Sequence, residues 1–465
     1  MCSLTAQTMA RPVAARPGVA LALILTCQLM LMLDVTVMNV ALPRIRTDLG
    51  FTPAGLSWVM NAYTLVFGGL LLLGGRLGDL FGRRRVFLAG VAVFTAASLA
   101  GGLADSAGLL IASRIVQGLG AAAAGPSTIA LITSTFTEPR ARVRALSLFS
   151  AMASSGFAVG LILGGLLTEW LTWRSVMFIN VPFGVVVLVF GARHIAEPER
   201  HPAKLDVTGA VLATLGVASL VYGFIRAAEA GWGAASAVWP LVAGAVLVVT
   251  FVWSQTRVGH PMLPLRLFAD RDRAAGYANF FLGPLSMMSA FFFLTQFLQE
   301  VSGYGALATG FAFLPMAVGI FVLSRAVPWL LPLLGPKPIA VTGTLLMSGG
   351  LWWVAQLSAG SGYVPGVLGP MVLMGVGGGL AFAPLNVLIM GTVPPADAGA
   401  AGGALQTMQQ IGATLGLAVL VTVAGSASRG HAGTDALVTG MTAAFTTSAF
   451  VALLTFGVAL TFKRR

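Results

Sequence analysis

Charge is scarce in this sequence, in which 9% of 465 residues are Asp, Glu, Lys or Arg. A soluble domain carries about 25%, so a chain of this size could not cover a water-facing surface, and a soluble globular protein is excluded. Cysteine is nearly absent as well. Cys2 stands near the start and Cys27 within an apolar run, which offers neither a disulfide framework nor a thiolate metal site. The four histidines, His194, His201, His260 and His431, lack metal-ligand spacing, and no metal is expected. No Gly-x-x-x-x-Gly-Lys-Ser/Thr segment occurs, so nothing points to ATP-driven work. Ten-residue alternating segments, the mark of a membrane β-barrel, are missing too.

What the chain has instead is apolar length: 57% of its residues are hydrophobic and its mean hydropathy is +0.90. About 20 apolar residues cross a bilayer once as a helix. Charge and Pro/Gly punctuation divide the sequence into fourteen candidate spans, at 18–42, 56–74, 86–104, 109–133, 145–168, 173–191, 207–225, 236–254, 275–299, 306–334, 338–358, 364–392, 400–424 and 436–462. The predicted fold class is an all-α polytopic membrane protein. Its 58 glycines and 23 prolines fit helices in lipid, where small residues allow close packing and neighbours satisfy freed backbone groups. Arg11 and Arg16 before the run Val19 to Leu33 imitate a secretory signal. The many spans that follow make it an uncleaved first helix.

A net charge of +12 in a soluble protein would suggest a nucleic-acid partner, but here the basic residues sit in clusters between spans and report topology. With both termini on one side, that side holds 20 of the 27 Lys and Arg, the other holds Arg44, Arg46, Arg174, Arg226 and Arg429, and the spans hold Arg114 and Arg325. The termini are therefore expected in the cytoplasm. The longest polar connections, Arg193 to Leu205 and Arg257 to Arg273, divide the chain into a cytoplasmic start (1–17), a six-helix half (18–191), two inserted helices (207–254) and a second six-helix half (275–462). Spans two and three, and spans ten and eleven at the corresponding place, are each joined by a short basic turn, as an internal repeat requires.

The turn after span two reads Gly75-Arg76-Leu77-Gly78-Asp79-Leu80-Phe81-Gly82-Arg83-Arg84-Arg85. Gly75 and Gly78 allow close helix approach, Gly82 a tight turn, and Asp79 lies within reach of arginines for a charge-assisted contact that could hold one conformation and release another. A solvated aspartate in an ordinary basic loop is the plainer reading. Asp34 is the carboxylate placed inside a span, where an acid costs about 2.5 to 3.5 kcal/mol on insertion scales, which marks a functional position. Burial favours the neutral form of an acid and an approaching cation the charged form, so a group like this can change its proton with its surroundings. A permanent ion pair or a wet cavity is the alternative. Arg114, with Gln117 and Gly118 at i+3 and i+4, gives span four a face carrying a guanidinium, an amide and a gap. Gly156, Gly160 and Gly164, with Gly165, make a smooth stripe on span five. Asn39, Asn61, Gln117, Phe292, Arg325, Asn386 and Gln409 are candidates for a substrate cavity. Arg325 could equally snorkel to the nearby basic turn.

Four segments, taken together, resemble the major facilitator superfamily, and within it the fourteen-span drug:proton antiporter family. They are Leu33-Asp34-Val35-Thr36-Val37-Met38-Asn39-Val40-Ala41-Leu42-Pro43, the 75–85 turn, Arg114-Ile115-Val116-Gln117-Gly118-Leu119-Gly120, and Trp173-Arg174-Ser175-Val176-Met177-Phe178-Ile179-Asn180-Val181-Pro182. The resemblance implies a major facilitator fold of two six-helix halves plus two extra helices, in the cytoplasmic membrane. It implies a monomeric exporter of small amphipathic drugs or antibiotics that works by alternating access in exchange for protons, without a cofactor. It assigns proton coupling or substrate binding to Asp34, proton transfer or the holding of a polar cavity network to Arg114, a conformational latch to the 75–85 turn, and a helix-packing motif to span five, where the family usually has Gly-Pro and this chain has Gly160-Leu161. Two other readings stand beside it: a proton-linked uptake symporter of the same fold, and a membrane-embedded enzyme, for which one carboxylate and two arginines are poor material.

Overall fold

A computed structural model describes residues 17–198, 206–259, 261–391, 393 and 398–462. The expected cytoplasmic start lies outside them except for Pro17, as do the basic end from Lys463 and part of the first long connection. Among the described residues every regular element is helical. The first six long helices are α1 (Pro17–Leu49), α2 (Ser57–Phe81), α3 (Arg83–Gly102), α4 (Ala107–Thr135), α5 (Pro139–Trp170) and α6 (Ser175–His194). Then come α7 (Val207–Ala230) and α8 (Ala235–Gln255). The last six are α9 (Arg271–Val301), α10 (Ala306–Leu334), α11 (Pro336–Val354), α12 (Val364–Met390), α13 (Ala398–Ala427) and α14 (Gly433–Leu460).

Among the described residues, twelve of these helices are long and apolar enough to cross a membrane. The fourteen-span expectation is met in twelve on that measure, and the two left over are α5 and α11. In α5 the continuous stretch whose side chains are described is Gly156–Trp170, which is too short for the measure. In α11 the opening Pro336-Lys337-Pro338 and the glycines lower the hydropathy of a 19-residue helix. Boundaries moved as well: α1 continues through Pro43 to Leu49, past the expected end at 42.

Helix ends follow local chemistry. Asp206 and Asp270 cap α7 and α9 by accepting from Gly209 N and Arg273 N at 2.8 and 3.0 Å, which satisfies donors that a helix start leaves open. Glu138 does the same for α5 through Arg140 N and Ala141 N, with Pro139 at the first helical position. Gly82, at φ 104°, turns α2 directly into α3 in a backbone conformation that side chains disfavour.

The first and last six helices pack in the same order. In the first set α3 and α4, α2 and α4, α1 and α5, and α3 and α6 are neighbours; in the last, α11 and α12, α10 and α12, α9 and α13, and α11 and α14. Glycines set these approaches: Gly90 meets Gly120 O between α3 and α4, as Gly343 meets Gly377 O between α11 and α12. The two bundles touch along α1 with α9, α5 with α10 and α2 with α13. The extra pair α7 and α8 pack on each other and cover the α2–α13 contact from outside. α8 leaves Trp239, Val246, Val249 and Trp253 exposed, a face suited to lipid.

Candidate functional site

Asp34 lies inside the first bundle, bound by three side chains from two neighbouring helices. Arg114 Nη1 on α4 donates to its Oδ2 at 2.5 Å, and Gln117 Nε2 donates to its Oδ1 at 3.1 Å. From α6, Asn180 Nδ2 donates to the same Oδ1 at 2.9 Å. Both members of the ion pair have 0% side-chain exposure. Removing two charges from water costs several kcal/mol per ion, and the pair holds only if further hydrogen bonds satisfy both groups. Most of that need is met: Arg114 Nε donates to Val59 O at 2.9 Å, Nη1 also reaches Gln117 Oε1 at 2.8 Å, and the guanidinium lies 4.5 Å over the Tyr63 ring, while Nη2 is buried without a hydrogen-bond partner. Gln117 Nε2 continues the chain to Ser98 Oγ on α3 at 2.7 Å.

The sequence builds this network by removing side chains around it. A Cβ on Gly118 would stand 2.8 Å from Tyr63 O, so the glycine brings α2 close enough for Arg114 to reach the Val59 carbonyl. Gly156, Gly160 and Gly164 all face α1. A Cβ on Gly160 would collide with Thr36 Oγ1, and one on Gly164 would stand 2.9 Å from Val37 Cα, so α5 seals the α1 face beside Asp34. Gly165 points elsewhere, with its Cβ position 2.6 Å from Leu307 Cα on α10. Asn180 begins the main part of α6 after a turn at Ile179.

The 75–85 turn joins α2 to α3. Arg83 donates to Asp79 Oδ1 through Nη2 at 2.7 Å and Nε at 3.1 Å. Arg84 N donates to Glu197 Oε1 at 3.1 Å and Arg84 Nη2 to Ala192 O at 2.5 Å, tying the turn to the end of α6; Arg85 is exposed. A Cβ on Gly78 would stand 3.3 Å from Ser127 Oγ and one on Gly75 an ordinary 3.6 Å from Pro126. The tightest approach to α4 is at Gly74, whose Cβ would collide with Ala122 O.

The remaining candidates are dispersed. Asn39 sits between the bundles, where its Nδ2 donates to Thr295 Oγ1 at 2.6 Å. On the same seam Gln299 Nε2 donates to Val40 O at 2.9 Å and Arg46 pairs with Glu300 at 2.7 Å. Asn61 is buried with neither amide atom partnered. Phe292 is buried against Phe293, with ring centroids 5.2 Å apart. Gln409 is half-buried and Asn386 exposed. Arg325 is exposed, its guanidinium 4.9 Å over Phe321. Two open grooves, of about 650 and 600 Å³, lie near Trp58, Tyr222 and Trp239 and near Leu357, Thr442 and Thr446, and none of the cavity candidates lines either. The partners that sequence reasoning left without a role are Asn180, Ser98 and Tyr63. Of these, only Asn180 carried a signal, its place in the Trp173 to Pro182 segment.

The two like-packed bundles and the motif-bearing first half lead to a family, and a family model described as Major Facilitator Superfamily matches residues 24–417. The chain belongs to the Major Facilitator Superfamily, a family of membrane transporters. The cephamycin export protein CmcT of Amycolatopsis lactamdurans is 44% identical over 416 residues, covering 88% of this chain and 86% of that protein. The puromycin resistance protein pur8 of Streptomyces alboniger is 38% identical, over 94% of this chain and 89% of its own length. In structure, an auto inhibited POT family peptide transporter superposes with a TM-score of 0.69 at 15% identity, covering 96% of this chain and 98% of the other. At that identity the likeness concerns the fold. This major facilitator chain is a multi-pass membrane protein with its buried ion pair confined to one half.

Proposed function

We propose that the chain exports small amphipathic compounds of the antibiotic class, driven by protons, with Asp34 as the group that takes up and releases the proton. The observation that carries this reading is the sealed Asp34–Arg114 pair, held by four neutral partners and 0% exposed. Protonation of Asp34 removes the charge that Arg114 answers, so the contact between α1 and α4 depends on the proton. α1 is also the helix that meets α9 through Asn39, Val40 and Arg46, which gives the proton a mechanical route to the seam between the bundles. The names of the cephamycin and puromycin relatives support export of toxic compounds. The cluster of 20 of 27 basic residues on one side supports cytoplasmic termini in the cell membrane. The transporter acts as a monomer and needs no cofactor.

The driving force is adequate. One charge crossing 100 mV is worth about 2.3 kcal/mol, which corresponds to roughly a fifty-fold gradient of a neutral substrate. The test is Asp34→Asn in everted membrane vesicles. Proton-driven substrate accumulation should fall at least about tenfold while the protein remains in the membrane, and undiminished transport would defeat the assignment.

A further inference from the structure

Asn180 has an amide oxygen that is buried and without a hydrogen-bond partner, although its own Nδ2 is bonded to Asp34 Oδ1. An orphaned acceptor in a sealed network is costly. It becomes intelligible if it belongs to the other protonation state of Asp34. We propose that Asn180 is a positioning residue for the proton step: its amide nitrogen holds the ionised carboxylate, and its vacant oxygen accepts the O–H that Asp34 gains on protonation.

The exchange balances simply. A hydronium ion gives up a proton, one of its O–H bonds breaking to leave water, and an O–H bond forms at Asp34 Oδ2, the oxygen now facing Arg114 Nη1; no bond of the protein breaks. A carboxylic acid has one donor, and a carboxamide oxygen is an acceptor with two lone pairs. Acid and amide can then join through two hydrogen bonds, Nδ2 to Oδ1 and the new O–H to the amide oxygen. Arg114 stays protonated and loses Oδ2, keeping Val59 O, Gln117 Oε1 and the Tyr63 face. The amide thus substitutes for the guanidinium, and α4 is freed from α1 without leaving the acid unpartnered. Gln117 Oε1, on the same face of α4, already accepts from Arg114.

The groups that face Asp34 are few. α4 brings Arg114 and Gln117, α2 the Tyr63 phenol, α3 Ser98 through Gln117, and α6 Asn180. α5 presents the glycine stripe and α9 presents Phe291 and Thr295 to Asn39. Cys27 lies two turns earlier on α1. The same α6 segment also anchors the far end of α1, where Trp173 Nε1 and Arg174 Nη1 both donate to Asp48 Oδ2 at 2.6 and 2.8 Å. It therefore fixes α1 at two points, and the acid–amide geometry survives movement of α4.

This inference rests on the proton-coupled reading above, and one experiment separates the two. The full chain in lipid nanodiscs is titrated by infrared spectroscopy, with the Asp34 band assigned by its loss in Asp34→Asn. In Asn180→Leu the carboxylate loses one charge-assisted bond and the acid loses two neutral ones, effects that oppose each other on the midpoint, so the readout is the O–H stretch of protonated Asp34, which should move to higher frequency when its acceptor is gone. Asn180→Thr, whose hydroxyl can donate and accept, should show less than half that shift. Asn180→Ala carries the same expectation as the leucine variant should the latter fail to reach the membrane. An O–H band that stays put, or moves to lower frequency, overturns the role of the vacant oxygen even if transport falls. A wild-type Asp34 band that never titrates overturns proton coupling through Asp34 and the inference with it.

Discussion

In the first bundle α5 lies on α1 along Gly156, Gly160 and Gly164, and in the second α13 lies on α9 along Gly412 and Gly416, whose Cβ positions would collide with the carbonyls of Phe281 and Leu285. The packing device is shared, but what it encloses is different. Between α1 and α4 sits the fully buried Asp34–Arg114 pair. The second bundle buries hydroxyls and amides at mid-helix, among them Asn279, Ser286, Thr344, Ser348 and Ser448, and its buried acid, Asp272, belongs to the first turn of α9. Around Phe291 its core is aromatic, with Phe313 at 4.8 Å and Phe157 of the first bundle at 5.6 Å. On the proposed function one half holds the titratable centre and the other moves against it, and the effect of a proton at Asp34 reaches the second bundle through the seam.

The sharpest way to break this asymmetry is to unpair the charge. Arg114→Leu leaves Asp34 ionisable in a dry site, a change that costs about 3 to 5 kcal/mol when one partner of a buried pair is removed. The melting temperature of the purified protein should drop accordingly. Asp34→Leu combined with Arg114→Leu should recover most of that loss, because apolar replacement of both partners is often neutral, while export stays abolished. A double variant as unstable as the single one would mean that the pair is chiefly a scaffold.

The packing device should respond alike in both halves. Gly160→Val drives a side chain into Thr36, and Gly416→Val drives one into the Leu285 backbone. Each should destabilise by about 1 to 3 kcal/mol, the usual range for overpacking, as read by thermal unfolding in detergent. Gly349→Ala, where nothing lies within 4 Å, is the control and should stay close to wild type. If Gly160→Val were tolerated while Gly416→Val was not, the glycine stripe of α5 would have to yield in place rather than seal Asp34.

What could be read in the sequence follows the cost of each group in lipid. A charge within an apolar run is expensive, so Asp34 and Arg114 stand out without any structure, as do the apolar runs that become helices. Ser98 and Asn180 are cheaper to bury and look like ordinary packing residues until Asp34 is seen between them. Asn39 sits five residues from Asp34, yet it faces Thr295 across the seam, a partner 256 positions away that no local pattern announces. Glycine spacing gave the stripe on α5 but not the helix phase on α2, where Gly74 rather than Gly75 meets α4. Hydropathy windows find a span only when its whole length is apolar, so α11, opening on Pro-Lys-Pro, falls below the measure that twelve other helices meet.

The seam offers the gentlest test, and the most specific one for transmission between the halves. Arg46 and Glu300 pair at 2.7 Å with side chains 26% and 20% exposed, next to the Gln299 contact with Val40 O. On α10, Leu307 N donates to Glu169 Oε2 at 3.1 Å, so this end of the molecule is tied on both α1 and α5. A partly exposed ion pair contributes about 0.2 to 1 kcal/mol, enough to change a two-state population up to about fivefold. Glu300→Gln should therefore raise the fraction open at this end by about two- to fivefold, measured as the rate at which a membrane-impermeant thiol reagent labels a cysteine placed at Leu298. Cys2 and Cys27, the two native cysteines, are replaced by alanine in the background. Arg46→Glu alone should do the same, and combining it with Glu300→Arg should restore the slow rate. Such restoration requires the two charges to meet in the closed state, because two independent surface charges would add their effects rather than cancel them.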